Sequence, residues 1–100
     1  MDFTVNWTDR AAADFETVLR YMEKKAAEAA GKLRLALLDT ARLLAANPYI
    51  GPRCEDIGSG RIREVYCHPY RVFYRVYPKK RIVELLSIWH SSRQDPDFIG

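Results

Sequence analysis

Long apolar runs, glycine-rich loops and patterned cysteines are all missing from this chain of 100 residues. No apolar stretch approaches the roughly 18 residues of a membrane-spanning helix, and the first residues lack a signal-peptide pattern. No membrane association and a cytoplasmic location are therefore expected. Cys54 and Cys67 are the only cysteines, too few and too irregular for a disulfide framework. They are expected to be reduced and to act as small hydrophobic residues. Combined with His68 and His90 they match no zinc-finger spacing, and Cys67 and His68, as strand neighbours, would point to opposite faces. Neither a metal site nor a cofactor is expected. A phosphate-binding glycine loop, a nucleophile elbow and an HExxH motif are also missing, as are repeats and low-complexity segments. Asp95-Pro96-Asp97 reads as a loop and no more.

What is present suits one globular domain over residues 1–100. Hydrophobic residues make up 48% and charged residues 29% of the chain, enough for a single core without staples. Charge is placed unevenly. Residues 1–50 hold seven basic and seven acidic side chains. From Arg61 to Arg93 eight basic residues face only Glu64 and Glu84, although the whole chain carries a net +3. The sequence pI near 9.0 favours a polyanionic partner.

Taken in order, Phe3-Thr-Val-Asn-Trp7 alternates apolar and polar, which predicts a short strand with Phe3, Val5 and Trp7 on one face. Thr8 reads as a helix N-cap, with Asp9 complementing the dipole in the first turn. Ala11, Phe15, Val18, Met22 and Ala26 then recur at helical spacing and form one apolar stripe. The alanine-rich run from Lys24 to Gly31 has no signal that fixes where this helix stops. A second helix carries Leu33, Leu37, Thr40, Ala41 and Leu44 on one side, with Leu35, Leu38 and Leu43 widening the stripe. It should end at Asn47-Pro48, because the residue before proline leaves the α region. The short join makes the pair an antiparallel hairpin. Its wide apolar face is either fully buried or leaves a groove for another chain. Pro48 to Gly60, rich in proline and glycine, is a loop.

Three consecutive strands follow, over Arg61–Cys67, Tyr70–Tyr77 and Arg81–His90. Turns at His68-Pro69 and Pro78-Lys79-Lys80 make them antiparallel. Alternation puts Val72, Tyr74 and Val76 on one face, and Arg71, Phe73, Arg75 and Tyr77 on the other. Arg63, Arg71 and Arg75 would then form a basic face suited to phosphate or carboxylate, with Phe73 as a surface on which a base could stack. The competing reading is a solvated face on which Glu64 and Glu84 pair with arginines across the strands. His90, near Arg93 at the end of the last strand, could shuttle a proton in phosphodiester cleavage, or serve only structure. The tail is polar, and Phe98 could fold back onto the body.

This order of elements resembles the RelE/ParE superfamily of bacterial toxins from type II toxin–antitoxin modules. The likeness rests on Val5-Asn-Trp-Thr8 leading into Ala11 to Phe15, on Tyr21 with Ala29-Ala30, and on Leu44 to Pro48 followed by Gly51. It rests also on Arg63-Glu-Val65, Tyr70-Arg-Val-Phe-Tyr-Arg-Val76, and Ile88-Trp-His90 with Arg93. The resemblance implies an α+β fold: an N-terminal strand, an antiparallel helix hairpin, then three antiparallel strands in one twisted sheet. It places the start of the second helix near Ala26. It also implies a ParD-like antitoxin wrapped over the hairpin and beside the sheet, in a hetero-oligomer.

Two activities occur in the superfamily. ParE-like members inhibit DNA gyrase without hydrolysing anything, whereas RelE-like members cut mRNA on the ribosome without metal. Position by position, Arg61 and Arg63 fall where the nuclease branch has its basic pair, and Arg71 matches the arginine of a Tyr-Arg strand motif common to both branches. Ser91 stands where the nucleases have a second arginine, and no tyrosine follows Tyr77, so the chain looks closer to ParE. As a gyrase inhibitor it would engage its target through Arg61, Arg63, Arg71, Phe73 and Arg75. As a nuclease it would use His90 for proton transfer and Arg63, Arg71 and Arg93 on phosphate.

Overall fold

The computed structural model describes residues 2–55 and 57–92. Arg93, Phe98 and the Asp95–Asp97 segment lie outside the described residues.

Strand β1, Thr4–Trp7, turns its apolar side chains inward as the alternation predicts, and the Trp7 ring meets Phe15 at a centroid distance of 5.2 Å. Helix α1, Asp9–Lys25, starts at Thr8, whose Oγ1 accepts the Ala11 N–H at 3.1 Å. The same hydroxyl donates to the Leu85 carbonyl at 2.8 Å, so one threonine caps the helix and ties it to a strand far along the chain. Ala11 and Leu19 are buried on α1, with Phe15, Val18 and Met22 packed half-buried beside them. Leu19 is a core residue that the stripe reading passed over.

Ala26, placed on that stripe by its spacing, is instead extended and exposed, with φ −162°. Helix α2, Ala27–Ala46, begins at the next residue, as the family resemblance implied. No breaker marks the junction. Both helices bury leucines against the same sheet, and only a reversal at the junction lets α2 run back over it. Leu33, Leu37, Ala41 and Leu44 are buried as the spacing predicts, while Leu35 and Leu43 remain exposed. Asn47 ends the helix, its N–H bonded to the Leu43 carbonyl.

Strands β2 (Ile62–Cys67), β3 (Tyr70–Tyr77) and β4 (Ile82–His90) are antiparallel neighbours. β1 joins the far side of β4 in parallel, giving the sheet order β1-β4-β3-β2. β1 pairs with β4 only as far as Leu85. Beyond it Asp14 of α1 takes over, its Oδ2 accepting the Ile88 N–H at 3.0 Å and the buried Ser87 hydroxyl at 2.6 Å. Val72, Tyr74, Val83, Leu85 and Ile88 meet the helices in the main core.

The opposite face departs from expectation. A second apolar cluster of Cys54, Ile57, Ile62 and Phe73, with Leu86 and Trp89 against it, covers its middle. The Pro48–Gly60 segment folds onto the sheet there. Cys54 N–H bonds to Ile62 O at 2.8 Å, and Glu64 N–H to Pro52 O at 3.1 Å. This extends the sheet edge by one short bridge between Arg53 and Arg63. Cys54 and Ile57 gain burial that a solvated loop would deny them. Cys54 and Cys67 are free thiols in separate clusters, behaving as the small hydrophobic residues expected.

Candidate functional site

Register decides which arginines meet. Arg63 lies opposite Tyr74 in the β2–β3 pairing, so it leaves the sheet on the helix side, whereas Arg71 and Arg75 leave on the other. The basic face imagined with all of them together does not form. Arg63 Nη1 donates to the Gly51 carbonyl at 2.7 Å, and its guanidinium lies 5.1 Å from the centre of the Tyr49 ring. It thereby holds the Tyr49–Gly51 turn against β2. Gly51 N–H in turn donates to the buried Tyr74 hydroxyl at 2.9 Å. Burial pushes the Tyr74 phenol above its usual pKa, and the Gly51 bond partly offsets that.

Phe73 is fully buried, with relative exposure of 0%. It offers no ring to a nucleobase, which corrects its assignment as a stacking surface; the loop carrying Cys54 and Ile57 roofs it. Arg71 is paired across the strands, its Nε 2.7 Å from Glu64 Oε2, with only 13% of its side chain exposed. Its guanidinium stacks 4.8 Å over the Phe73 ring. For this residue the cross-strand pairing reading holds.

Arg63, from the helix side, Arg75, from the other, and Arg61, just before β2, border the same end of the sheet. They line a groove of about 430 Å³ at the start of β2, joined by Arg53, Tyr49 and Tyr77. Arg75 stacks 4.7 Å over Tyr77, whose hydroxyl donates to Glu84 at 3.2 Å. Burial and then the Glu84 carboxylate push the Tyr77 phenol upward. None of these four arginines forms an ion pair among the described residues. Arg53 and Tyr49 were missed because they sit in a loop, and only the bridge to Arg63 brings them beside β2.

His90 lies elsewhere, at the far end of β4, in a cavity of about 560 Å³ under α1 that Tyr21, Met22, Lys25 and Tyr70 also line. Its ring meets Tyr70 edge-on at 5.5 Å. The Ser92 N–H donates to its Nδ1 at 3.1 Å, so Nδ1 acts as acceptor and a neutral ring carries its proton on Nε2. Lys25 reaches 4.6 Å from the Tyr21 ring, and its hydrogen bond to Tyr21 raises its pKa. Tyr70 and His90 face each other on the helix side, while Arg71 pairs in register with Trp89 and turns away. The residues proposed for a nuclease are therefore not gathered in one place, and Arg93 lies outside the described residues.

Among the described residues no group of His, Cys, Asp and Glu could hold a metal ion, and no helix is long and apolar enough to cross a membrane.

The model of the ParE toxin of the type II toxin–antitoxin system parDE matches residues 5–95. No curated protein matches the sequence. Among solved structures, the chromosomal ParDE system from P. aeruginosa superposes with a TM-score of 0.71 at 19% identity, over 88% of this chain and 95% of that one. The RelBE2 toxin–antitoxin complex from Mycobacterium tuberculosis gives 0.69 at 18%, over 90% and 99%. The isolated E. coli RelE toxin gives 0.63 at 17%, over 93% and 88%. At these identities the structures establish the fold.

Proposed function

The chain belongs to the ParE toxin family of type II toxin–antitoxin systems, and we propose that it arrests growth in the cytoplasm by inhibiting DNA gyrase until an antitoxin binds it. The match of the ParE model over residues 5–95 carries this reading. The side chains support it: His90 and Arg71 leave the sheet on opposite faces, and Arg63 is occupied with the Tyr49–Gly51 turn. A proton-transferring group and a phosphate-holding guanidinium must converge on one reacting centre to cleave RNA. Among the described residues, Arg63 and Arg71 do not converge with His90.

An antitoxin partner fits the exposed apolar residues. Leu35 and Leu43 on α2, with Tyr49 and Ile50 just beyond it, are all more than 40% exposed. A soluble surface carrying such a group of side chains favours a covering partner. Solved relatives described as ParDE and RelBE2 toxin–antitoxin assemblies point the same way.

RelE-like cleavage of mRNA on the ribosome is the second reading, favoured by the RelE likeness and by His90 lining a cavity. Purified protein in a gyrase supercoiling assay separates the two. Cleaved plasmid, or plasmid left relaxed, with intact mRNA supports gyrase inhibition. Normal supercoiling with mRNA cut in translating extracts overturns it.

A further inference from the structure

We propose that the groove at the start of β2 is a binding site for a compact oligophosphate, such as the phosphate chain of a nucleoside triphosphate. Arg53, Arg61, Arg63 and Arg75 line one groove of about 430 Å³. That is the size of a small-molecule pocket. Among the described residues no acidic side chain lines it, and none of the four arginines is ion-paired. The contrast with Arg71 is direct: on the same sheet that guanidinium is matched by Glu64 at 2.7 Å. Four arginines bordering one groove, none of them ion-paired among the described residues, favour an anion there.

The arginines are also pre-set to receive it. Arg63 and Arg75 lie with their guanidinium carbons 5.1 Å and 4.7 Å from the centres of the Tyr49 and Tyr77 rings. Stacking occupies the flat face of a guanidinium; Arg75 keeps its in-plane N–H edge for phosphate oxygens, while Arg63, whose Nη1 donates to the Gly51 carbonyl, keeps the rest of its edge. Strands β2 and β3 hold the backbones, so little side-chain entropy remains to be lost on binding. Charge density selects the class of ligand. A phosphate chain concentrates several negative charges in the space of one groove, whereas a nucleic-acid strand or an acidic peptide spreads single charges along its backbone. The groove shares Arg61, Arg63 and Arg75 with the surface expected to meet gyrase, but tripolyphosphate binding is measured without gyrase and stands or falls separately.

The test is binding of inorganic tripolyphosphate to the full chain at low salt, followed by calorimetry and by its effect on Tm. Saturable binding that raises Tm is expected. Arg61→Gln and Arg75→Gln should each weaken it about tenfold, the usual effect of losing one charge-assisted contact. Arg42→Gln, on the surface of α2 and paired with Asp39 at 3.0 Å, should leave it unchanged. Arg61 is exposed, so its substitution leaves the core intact. The proposal is overturned if tripolyphosphate does not saturate, or if Arg42→Gln weakens binding equally. It is also overturned if a single-stranded oligonucleotide or a glutamate-rich peptide binds more tightly through the same arginines.

Discussion

The hydroxyl of Tyr74 accepts the Gly51 N–H at 2.9 Å, joining the middle of the sheet to the loop that supplies Tyr49 and Arg53 to the arginine groove. Space at this contact is exhausted. A Cβ added to Gly51 would lie against the Glu64 carbonyl, 2.8 Å from the Tyr74 oxygen and 2.9 Å from Val65 Cγ1. Gly51→Ala should therefore destabilise the fold by about 1–3 kcal/mol through overpacking. Tyr74→Phe should cost a similar ~1–3 kcal/mol by leaving a buried N–H without an acceptor. Chemical denaturation measures both, and an unchanged midpoint in either would refute the contact.

The same phenol sets an alkaline limit. Burial raises the Tyr74 pKa above the ordinary 10.0, and Tyr77 is raised as well. Folded protein then holds these protons more tightly than unfolded chain does. Stability is full below pH 10 and falls as pH rises through the raised values, at about 1.4 kcal/mol per pH unit for the buried Tyr74 and by a smaller, solvent-screened amount for Tyr77. Unfolding free energy measured from pH 8 to 11.5 should show this fall, and Tyr74→Phe should make it shallower.

Asp14 substitutes for a missing strand where β1 runs out. It accepts from Ile88 N–H at 3.0 Å and from the Ser87 hydroxyl at 2.6 Å, and Ser87 is fully buried. Asp14→Ala should cost about 2–4 kcal/mol, because two buried donors lose a charged acceptor. Asp14→Asn keeps one acceptor oxygen and should lose less. A double-mutant cycle with Ser87→Ala should show coupling of about 1 kcal/mol or more; strict additivity would mean that the two residues act independently.

Phe73 belongs to the outer cluster and is fully buried there. Phe73→Ala should destabilise by about 3–5 kcal/mol. Phe73→Leu should stay folded and still arrest growth on expression. Loss of toxicity in a folded Phe73→Leu protein would restore this residue to the target surface.

His90→Ala should leave growth arrest largely intact if gyrase is the target, since among the described residues the ring meets Tyr70 and accepts from Ser92. Abolished toxicity in a protein of unchanged Tm would favour RNA cleavage.

Local chemistry was readable wherever neighbours in sequence settle the matter. Thr8 caps α1 because its hydroxyl meets the helix it precedes, and Pro48 stops α2 because of its own ring. Leu33, Leu37, Ala41 and Leu44 are buried because helical spacing aligns them. Where propensity was silent, as through the alanines around Ala26, the helix boundary waited on packing.

The fate of each arginine was not local. The sequence by itself determined that the positive excess falls in the second half, on strands whose alternation is plain. Only the tertiary structure decided that Arg63 faces away from Arg71, that Glu64 neutralises Arg71, and that Arg53 joins Arg63 from the preceding loop. The reason is geometric. Strand parity assigns a side chain to a face, but the cross-strand register and the docking of a loop set its neighbours, and those depend on contacts between residues far apart in the chain.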